Sequence, residues 1–147
     1  MGVGPTKEDT MTISHPVIAS RPARRAAAVV GASAVNAVLW GAATAFGVDF
    51  VLSDSTGTAV ITLPVAVIAT AVFGLLGWGT LALLERFTRH ARAVWVGLAV
   101  AVAALSIVPI FLEQATAGTQ IALTVLHLAV PAVLIPGFRS PSPDGRR

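Results

Sequence analysis

The sequence predicts an all-α membrane protein, a bundle of four transmembrane helices, and three observations predict it. Four long stretches of the chain contain no Asp, Glu, Lys or Arg. Five segments flank these stretches, and basic residues occur only in the first, third and fifth of them. Hydrophobic residues make up 55% of the chain and charged residues 12%, a composition too apolar for an ordinary soluble domain.

Each uncharged stretch is long enough to cross the hydrocarbon core of a bilayer, which is roughly 30 Å thick and needs about 20 helical residues. The predicted spans are residues 26–48, 59–84, 93–112 and 119–138. They make up one transmembrane domain, predicted at residues 25–139. Residues 1–24 are predicted to be a disordered leader and residues 140–147 a disordered tail, because both segments are polar.

The distribution of basic residues predicts the orientation of the bundle. All ten lie before the first span, between the second and third, or after the fourth: Lys7, Arg21, Arg24, Arg25, Arg86, Arg89, Arg92, Arg139, Arg146 and Arg147. The other two connections contain Asp49, Asp54 and Glu113 and no base. Because short basic loops stay in the cytoplasm, both termini are predicted to be cytoplasmic.

The connections and the small residues predict how the helices pack. Only residues 85–92 join the second and third spans, so these spans should be antiparallel neighbours. Residues 49–58 are predicted to form an extracytoplasmic loop, and Trp95 is placed as an anchor at the cytoplasmic interface. Small residues at intervals of four predict close helix contacts. They are Ala27 and Gly31, Ala37 and Gly41, Ala66, Thr70 and Gly74, and Gly97 and Ala101.

A few polar residues inside the spans are predicted to form a layer near the middle of the membrane. At about 1.5 Å of rise per residue, Asn36 and His127 lie within about one helical turn of the same depth. The candidate layer consists of Asn36, Thr70, Ser106, Thr124 and His127. In one interpretation His127 carries a proton or a ligand; in the other it donates an interhelical hydrogen bond, with Asn36 as a candidate partner. A proton relay would lack a second ionisable group in the spans.

Composition and motifs argue against several functions. The chain has no cysteine, which excludes thiol chemistry, Cys-zinc sites and iron–sulfur clusters. It contains no Ser-His-Asp set, phosphate loop or HExxH helix, so we expect no catalytic residue, no cofactor and no enzyme activity. Three acids on two loops do not make a metal site. The bases are split among three short segments without interleaved aromatics, so no nucleic-acid binding is expected.

Two strings carry a family resemblance: WGTLALLER at residues 78–86, which leads into Trp95, and LHLAVPAVLIPGF at residues 126–138. With them, residues 25–138 resemble an uncharacterised actinobacterial family of four-span membrane proteins. The resemblance implies four membrane helices in an actinobacterial plasma membrane and brings no activity with it. Pro131 departs from the small or branched residue expected at that position.

The function expected from these observations is that of a partner-binding or structural component of the plasma membrane. Its partners would be the bilayer and another membrane protein or a second copy. The alternative is a small oligomeric transporter that uses the polar layer around His127. Four-span multidrug exporters carry a membrane-embedded carboxylate in the first span, and here the corresponding depth has Asn36.

Overall fold

The computed structural model describes residues 20–55 and 57–139 of the chain. Its elements are α1 (Arg21–Ala45), β1 (Val51–Asp54), β2 (Gly57–Val60), α2 (Leu63–Phe87), α3 (Ala91–Leu112) and α4 (Ala117–Arg139). All four helices are long and apolar enough to cross a membrane, which confirms the predicted fold class. Residues 1–19 of the predicted leader and the predicted tail lie outside the described residues, whereas residues 21–24 are helical.

The four helices form a bundle in which sequential contacts close a ring, and α2 and α4 also touch across it. Helix α1 contacts α2 and α4, and α3 contacts the same two helices from the opposite side. The arginines at the start of α1, around the α2–α3 connection and at the end of α4 therefore lie at one end, here called the basic end. The β strands and the α3–α4 connection lie at the other end, here called the hairpin end.

The helix boundaries follow local chemistry. Pro22 and Pro64 lie in the first turns of α1 and α2, where a missing backbone N–H is harmless. Helix α2 begins at Leu63 rather than at the predicted residue 59, because residues 57–60 form β2. At the basic end α2 continues to Phe87 and α3 begins at Ala91, so only three residues separate them.

The connection between α1 and α2 is a β-hairpin, where the sequence predicted only a loop. Its strands are antiparallel, with Val51 opposite Val60 and Asp54 opposite Gly57. Ser53 also exchanges two backbone hydrogen bonds with Gln114 of the α3–α4 connection, with N···O distances of 3.1 and 2.9 Å. The hairpin therefore ties the two connections of this end together.

Phe50 anchors the hairpin to the bundle. Its side chain is fully buried and stacks on the Trp40 ring at a centroid distance of 5.7 Å. Trp40 Nε1 donates a hydrogen bond to the Ile61 carbonyl at 3.1 Å, so α1 contacts both sides of the hairpin. Phe50 has a φ of 50°, a left-handed conformation that is uncommon outside glycine and is held here by the burial of its ring.

A second apolar core fills the basic end, and Trp95 lies at its centre. The indole is 4% exposed, packs against Phe138 at a centroid distance of 5.2 Å and donates from Nε1 to the Gly77 carbonyl at 2.8 Å. The expectation that Trp95 is an interfacial anchor was therefore wrong. The indole N–H finds its acceptor on the neighbouring helix α2 rather than in the headgroup layer.

Candidate functional site

Asn36 and Thr70 form the polar contact at the middle of the bundle. Asn36 Nδ2 on α1 donates to Thr70 Oγ1 on α2 at 2.6 Å, and Thr70 Oγ1 donates to the Ala66 carbonyl at 2.8 Å. Both side chains are buried. The structure thus brings together these two members of the predicted layer.

Two polar atoms beside this contact are buried without a hydrogen-bond partner among the described residues. They are Asn36 Oδ1 and Ser33 Oγ. Ser33 precedes Asn36 by three residues, so both lie on the same face of α1. A buried acceptor without a partner costs about 1–3 kcal/mol, so these are the two atoms beside the Asn36–Thr70 contact that could accept a further hydrogen bond.

The other three residues of the predicted layer bond within their own helices. His127 Nδ1 donates to the Leu123 carbonyl at 2.8 Å, since a carbonyl can only accept. Thr124 Oγ1 donates to the Gln120 carbonyl and Ser106 Oγ to the Ala103 carbonyl, both at 2.8 Å. The bond to Asn36 that one interpretation of His127 considered is not formed. Carbonyls three or four residues earlier in a helix are always within reach of short polar side chains, and here they replace interhelical partners.

The small residues divide into those that are used within the chain and those that are not. Ala66, Thr70 and Gly74 are all buried on the face of α2 that packs against α1. A Cβ at Gly74 would lie 3.0 Å from Val29 Cγ1, so this glycine permits the close approach of the two helices. At Gly31, Gly41 and Gly97, no atom of another described residue lies within 4 Å of the position a Cβ would take.

Four arginines lie around a depression at the basic end; their charges predicted the orientation of the bundle, but a shared site was not predicted. They are Arg21, Arg24, Arg25 and Arg92. The spacing of the first three places them on one face of α1, a signal that the sequence does contain. Arg92 could not be added, because its proximity depends on how α3 packs. Among the described residues, no three His, Cys, Asp or Glu side chains cluster in a way that could hold a metal ion.

We expect Thr70→Val to lower the free energy of unfolding by about 1–2 kcal/mol, because it removes an interhelical bond and leaves Asn36 Nδ2 unpaired. Thr80→Val is the matched control, since Thr80 makes the same bond to its own helix, with the Leu76 carbonyl, but is exposed. Unfolding of the full chain in bicelles measures both. Equal losses would mean that the Asn36–Thr70 bond adds nothing.

Comparison with known proteins gives one match. The profile of a family of unknown function, DUF6069, matches residues 16–143, which include all four helices and the polar layer. No curated protein and no solved structure matches the chain. The match extends beyond the residues that carry the resemblance seen in the sequence.

Proposed function

Since the chain belongs to DUF6069, a family of unknown function, we propose a function from its geometry: it is a multi-pass membrane component that binds a transmembrane helix of a partner through the outer face of α3. The observation that carries this proposal is a stripe of small residues on α3 that no other part of the described chain covers. The stripe consists of Ala93, Gly97 and Ala101, all exposed.

The α3 stripe differs from the small residues that hold the bundle together. Gly74 on α2 is buried against Val29, whereas nothing lies within 4 Å of a Cβ built at Gly97. A glycine inside a helix costs about 1 kcal/mol relative to alanine, a cost that no contact with another described residue explains at Gly97. In lipid, small residues at intervals of four let a second helix approach closely and gain van der Waals contact.

A second glycine that is exposed in the middle of a helix provides a comparison. Gly79 on α2 also has no neighbour within 4 Å, but the residues four positions before and after it are Leu75 and Leu83, both more than half exposed. Their bulk keeps a second helix away from Gly79. The α3 stripe is therefore the better surface for close helix packing, and Gly79 supplies a matched control.

We expect a photo-crosslinker on Ala101→Cys to join the protein to a discrete partner in native membranes. The chain has no cysteine of its own, so the label is unique. Gly97→Leu should abolish the adduct, because its side chain would fill the space that the partner helix occupies, while Gly79→Leu should leave it intact. The readout is the adduct band and its mass, and an adduct of two chains identifies a second copy as the partner.

Two outcomes would contradict this proposal. One is labelling of lipid alone at position 101, and the other is an adduct that survives Gly97→Leu. A label on Leu75→Cys beside Gly79 controls for random collisions in the membrane and should give no discrete adduct. Both label positions are exposed, so neither label should disturb the bundle.

The location supported by the charge pattern is the plasma membrane, with both termini in the cytoplasm. If the chain crosses the membrane four times, all ten bases lie in segments on the same side. The positive-inside rule identifies that side as the cytoplasmic one. The resemblance of residues 78–86 and 126–138 to an actinobacterial family supports the same membrane. A reporter fused after Arg147 tests the orientation, and activity only outside the cytoplasm would overturn it.

A small oligomeric transporter is the second candidate, favoured by the buried and unpaired Asn36 Oδ1 and Ser33 Oγ. We rank it below helix binding because His127 Nδ1 already donates to its own helix and the predicted spans contain no other ionisable residue. If the protein binds a partner helix and neither transports nor catalyses, the proton flux into proteoliposomes should not exceed the flux into empty vesicles. A pH-dependent flux abolished by His127→Asn would favour the transporter.

A further inference from the structure

Four arginines line a small, partly open depression at the basic end, called here the arginine pocket. Arg21, Arg24 and Arg25 come from the first turns of α1, and Arg92 comes from the first turn of α3. Gly137 and Phe138, in the last turn of α4, complete the lining. Helix α4 packs between α1 and α3, so its end lies between the two groups of arginines.

Two of the four arginines in the arginine pocket, Arg21 and Arg92, have no acidic partner among the described residues. Arg25 pairs with Glu85 at 2.6 Å, and Glu85 is the only acidic residue described at the basic end. Guanidinium groups remain protonated at any physiological pH, so a surplus of positive charge converges on one depression.

The depth of the pocket corresponds to the headgroup layer of a bilayer. Helix α1 has 25 residues and is therefore about 37 Å long, against roughly 30 Å for a hydrocarbon core. The uncharged stretch that can cross the core begins at residue 26, so the arginines that precede it are expected beyond the core, where lipid phosphates are found. The first turn of α3 begins at the same end of the bundle.

An apolar track leads away from the arginine pocket along the outer face of α4. Its residues follow one another at intervals of three or four and are all exposed: Ile121, Val125, Leu128, Ala132 and Pro136. Helices α1 and α3 flank α4 on its two sides, so the track runs between them. It ends next to Gly137, where the pocket begins.

We propose that the arginine pocket binds the phosphate group of an anionic phospholipid, whose acyl chains lie along the outer face of α4. Guanidinium groups form paired hydrogen bonds with phosphate oxygens, and several arginines around one depression can engage one phosphate from different sides. The surplus charge selects an anionic lipid over a zwitterionic one, whose choline group would add a positive charge. The acyl chains of a lipid would contact the apolar track, whereas a free phosphate has no group that could make this contact.

The test is native mass spectrometry of the full chain, titrated separately with phosphatidylglycerol, phosphatidylcholine and inorganic phosphate. We expect phosphatidylglycerol to bind at least about tenfold more tightly than the other two, the scale of one charge-assisted hydrogen bond. Arg21→Gln/Arg92→Gln should weaken phosphatidylglycerol binding by about tenfold or more. Arg86→Gln/Arg89→Gln is the matched control, since it removes the same charge from the same end outside the pocket and should bind like the wild type.

Each of the following results would overturn the proposal. Equal weakening by the two double variants would show a diffuse attraction to basic residues, and equal binding of phosphatidylcholine would show that the surplus charge selects nothing. Inorganic phosphate binding as tightly as phosphatidylglycerol would make free phosphate the ligand. If the glutamine variant does not fold, the double variant Arg21→Lys/Arg92→Lys tests the proposal instead, because it keeps the positive charge. It should weaken binding because an ammonium group cannot form the paired bonds, and unchanged binding would also contradict the proposal.

Discussion

Replacing Trp95 with alanine should lower the free energy of unfolding by about 3–5 kcal/mol, the scale of removing a buried aromatic side chain. The indole is 4% exposed, packs against Phe138 and donates to the Gly77 carbonyl. Lipid solvates apolar groups about as well as the protein interior does. The cost of the substitution therefore comes from lost van der Waals contacts and from the cavity, rather than from exposure to water. Thermal or denaturant unfolding of the full chain in bicelles measures the loss.

Two further variants separate the contributions of the indole. Trp95→Phe keeps most of the ring contact but removes the N–H donor, so we expect a loss of about 1 kcal/mol. Phe87→Ala is the matched control, because Phe87 is an aromatic residue at the same end that is 79% exposed. A loss after Phe87→Ala as large as that after Trp95→Ala would show that burial in the bundle is not the cause.

Gly137→Ala should destabilise the contact between α1 and α4 by about 1–3 kcal/mol, the usual cost of overpacking. A Cβ at residue 137 would lie 2.5 Å from Ala28 Cβ, whereas carbon atoms in contact are about 3.5–4.0 Å apart. Ala28 Cβ is attached directly to the backbone and cannot move aside by changing rotamer. The helices must therefore separate, and Gly137→Leu should cost more. Unfolding of the full chain again gives the measurement.

A double-mutant cycle provides the sharpest control for Gly137. Ala28→Gly removes the atom that the new methyl group would meet, so the pair Ala28→Gly/Gly137→Ala should be more stable than the sum of the single changes implies. Gly97→Ala serves as the open control, because nothing lies within 4 Å of its Cβ position and alanine favours the helix. If the two single changes are additive, the close approach of α1 and α4 does not limit stability.

The number and approximate positions of the helices could be predicted because hydropathy adds up along the chain. Twenty or so uncharged residues determine a span whatever their neighbours are, and all four predicted spans correspond to helices. The ends were less predictable. Residues 21–24 extend α1 although three of the five residues from Arg21 to Arg25 are charged, since a helix may continue past the hydrocarbon core.

The hairpin was missed because its strands are only four residues long and its sequence is rich in turn formers. Its stability comes from long-range contacts: Phe50 stacks on Trp40, and Ser53 bonds with Gln114, 61 residues further along the chain. Neither contact leaves a local periodic signal. Short strands of this kind depend on packing rather than on propensity.

Two polar side chains at similar depth in the bundle do not necessarily bond with each other. Asn36 and Thr70 lie at similar depth and also face each other, so they bond. His127 and Asn36 were placed at similar depth as well, yet His127 bonds to its own helix. Depth follows from counting residues, whereas facing depends on the rotation of each helix about its axis, which a single residue of offset changes by about 100°.

The sequence by itself determined that this chain has four helices able to cross a membrane and that its basic residues fall in alternate flanking segments, because hydropathy and charge are carried by each residue alone. Only the tertiary structure decided which small and polar side chains meet: Gly74 with Val29, Asn36 with Thr70, and Arg92 with the arginines of α1. The physical reason is that lipid gives little preference for one helix rotation over another, so specific van der Waals contacts and hydrogen bonds choose among them.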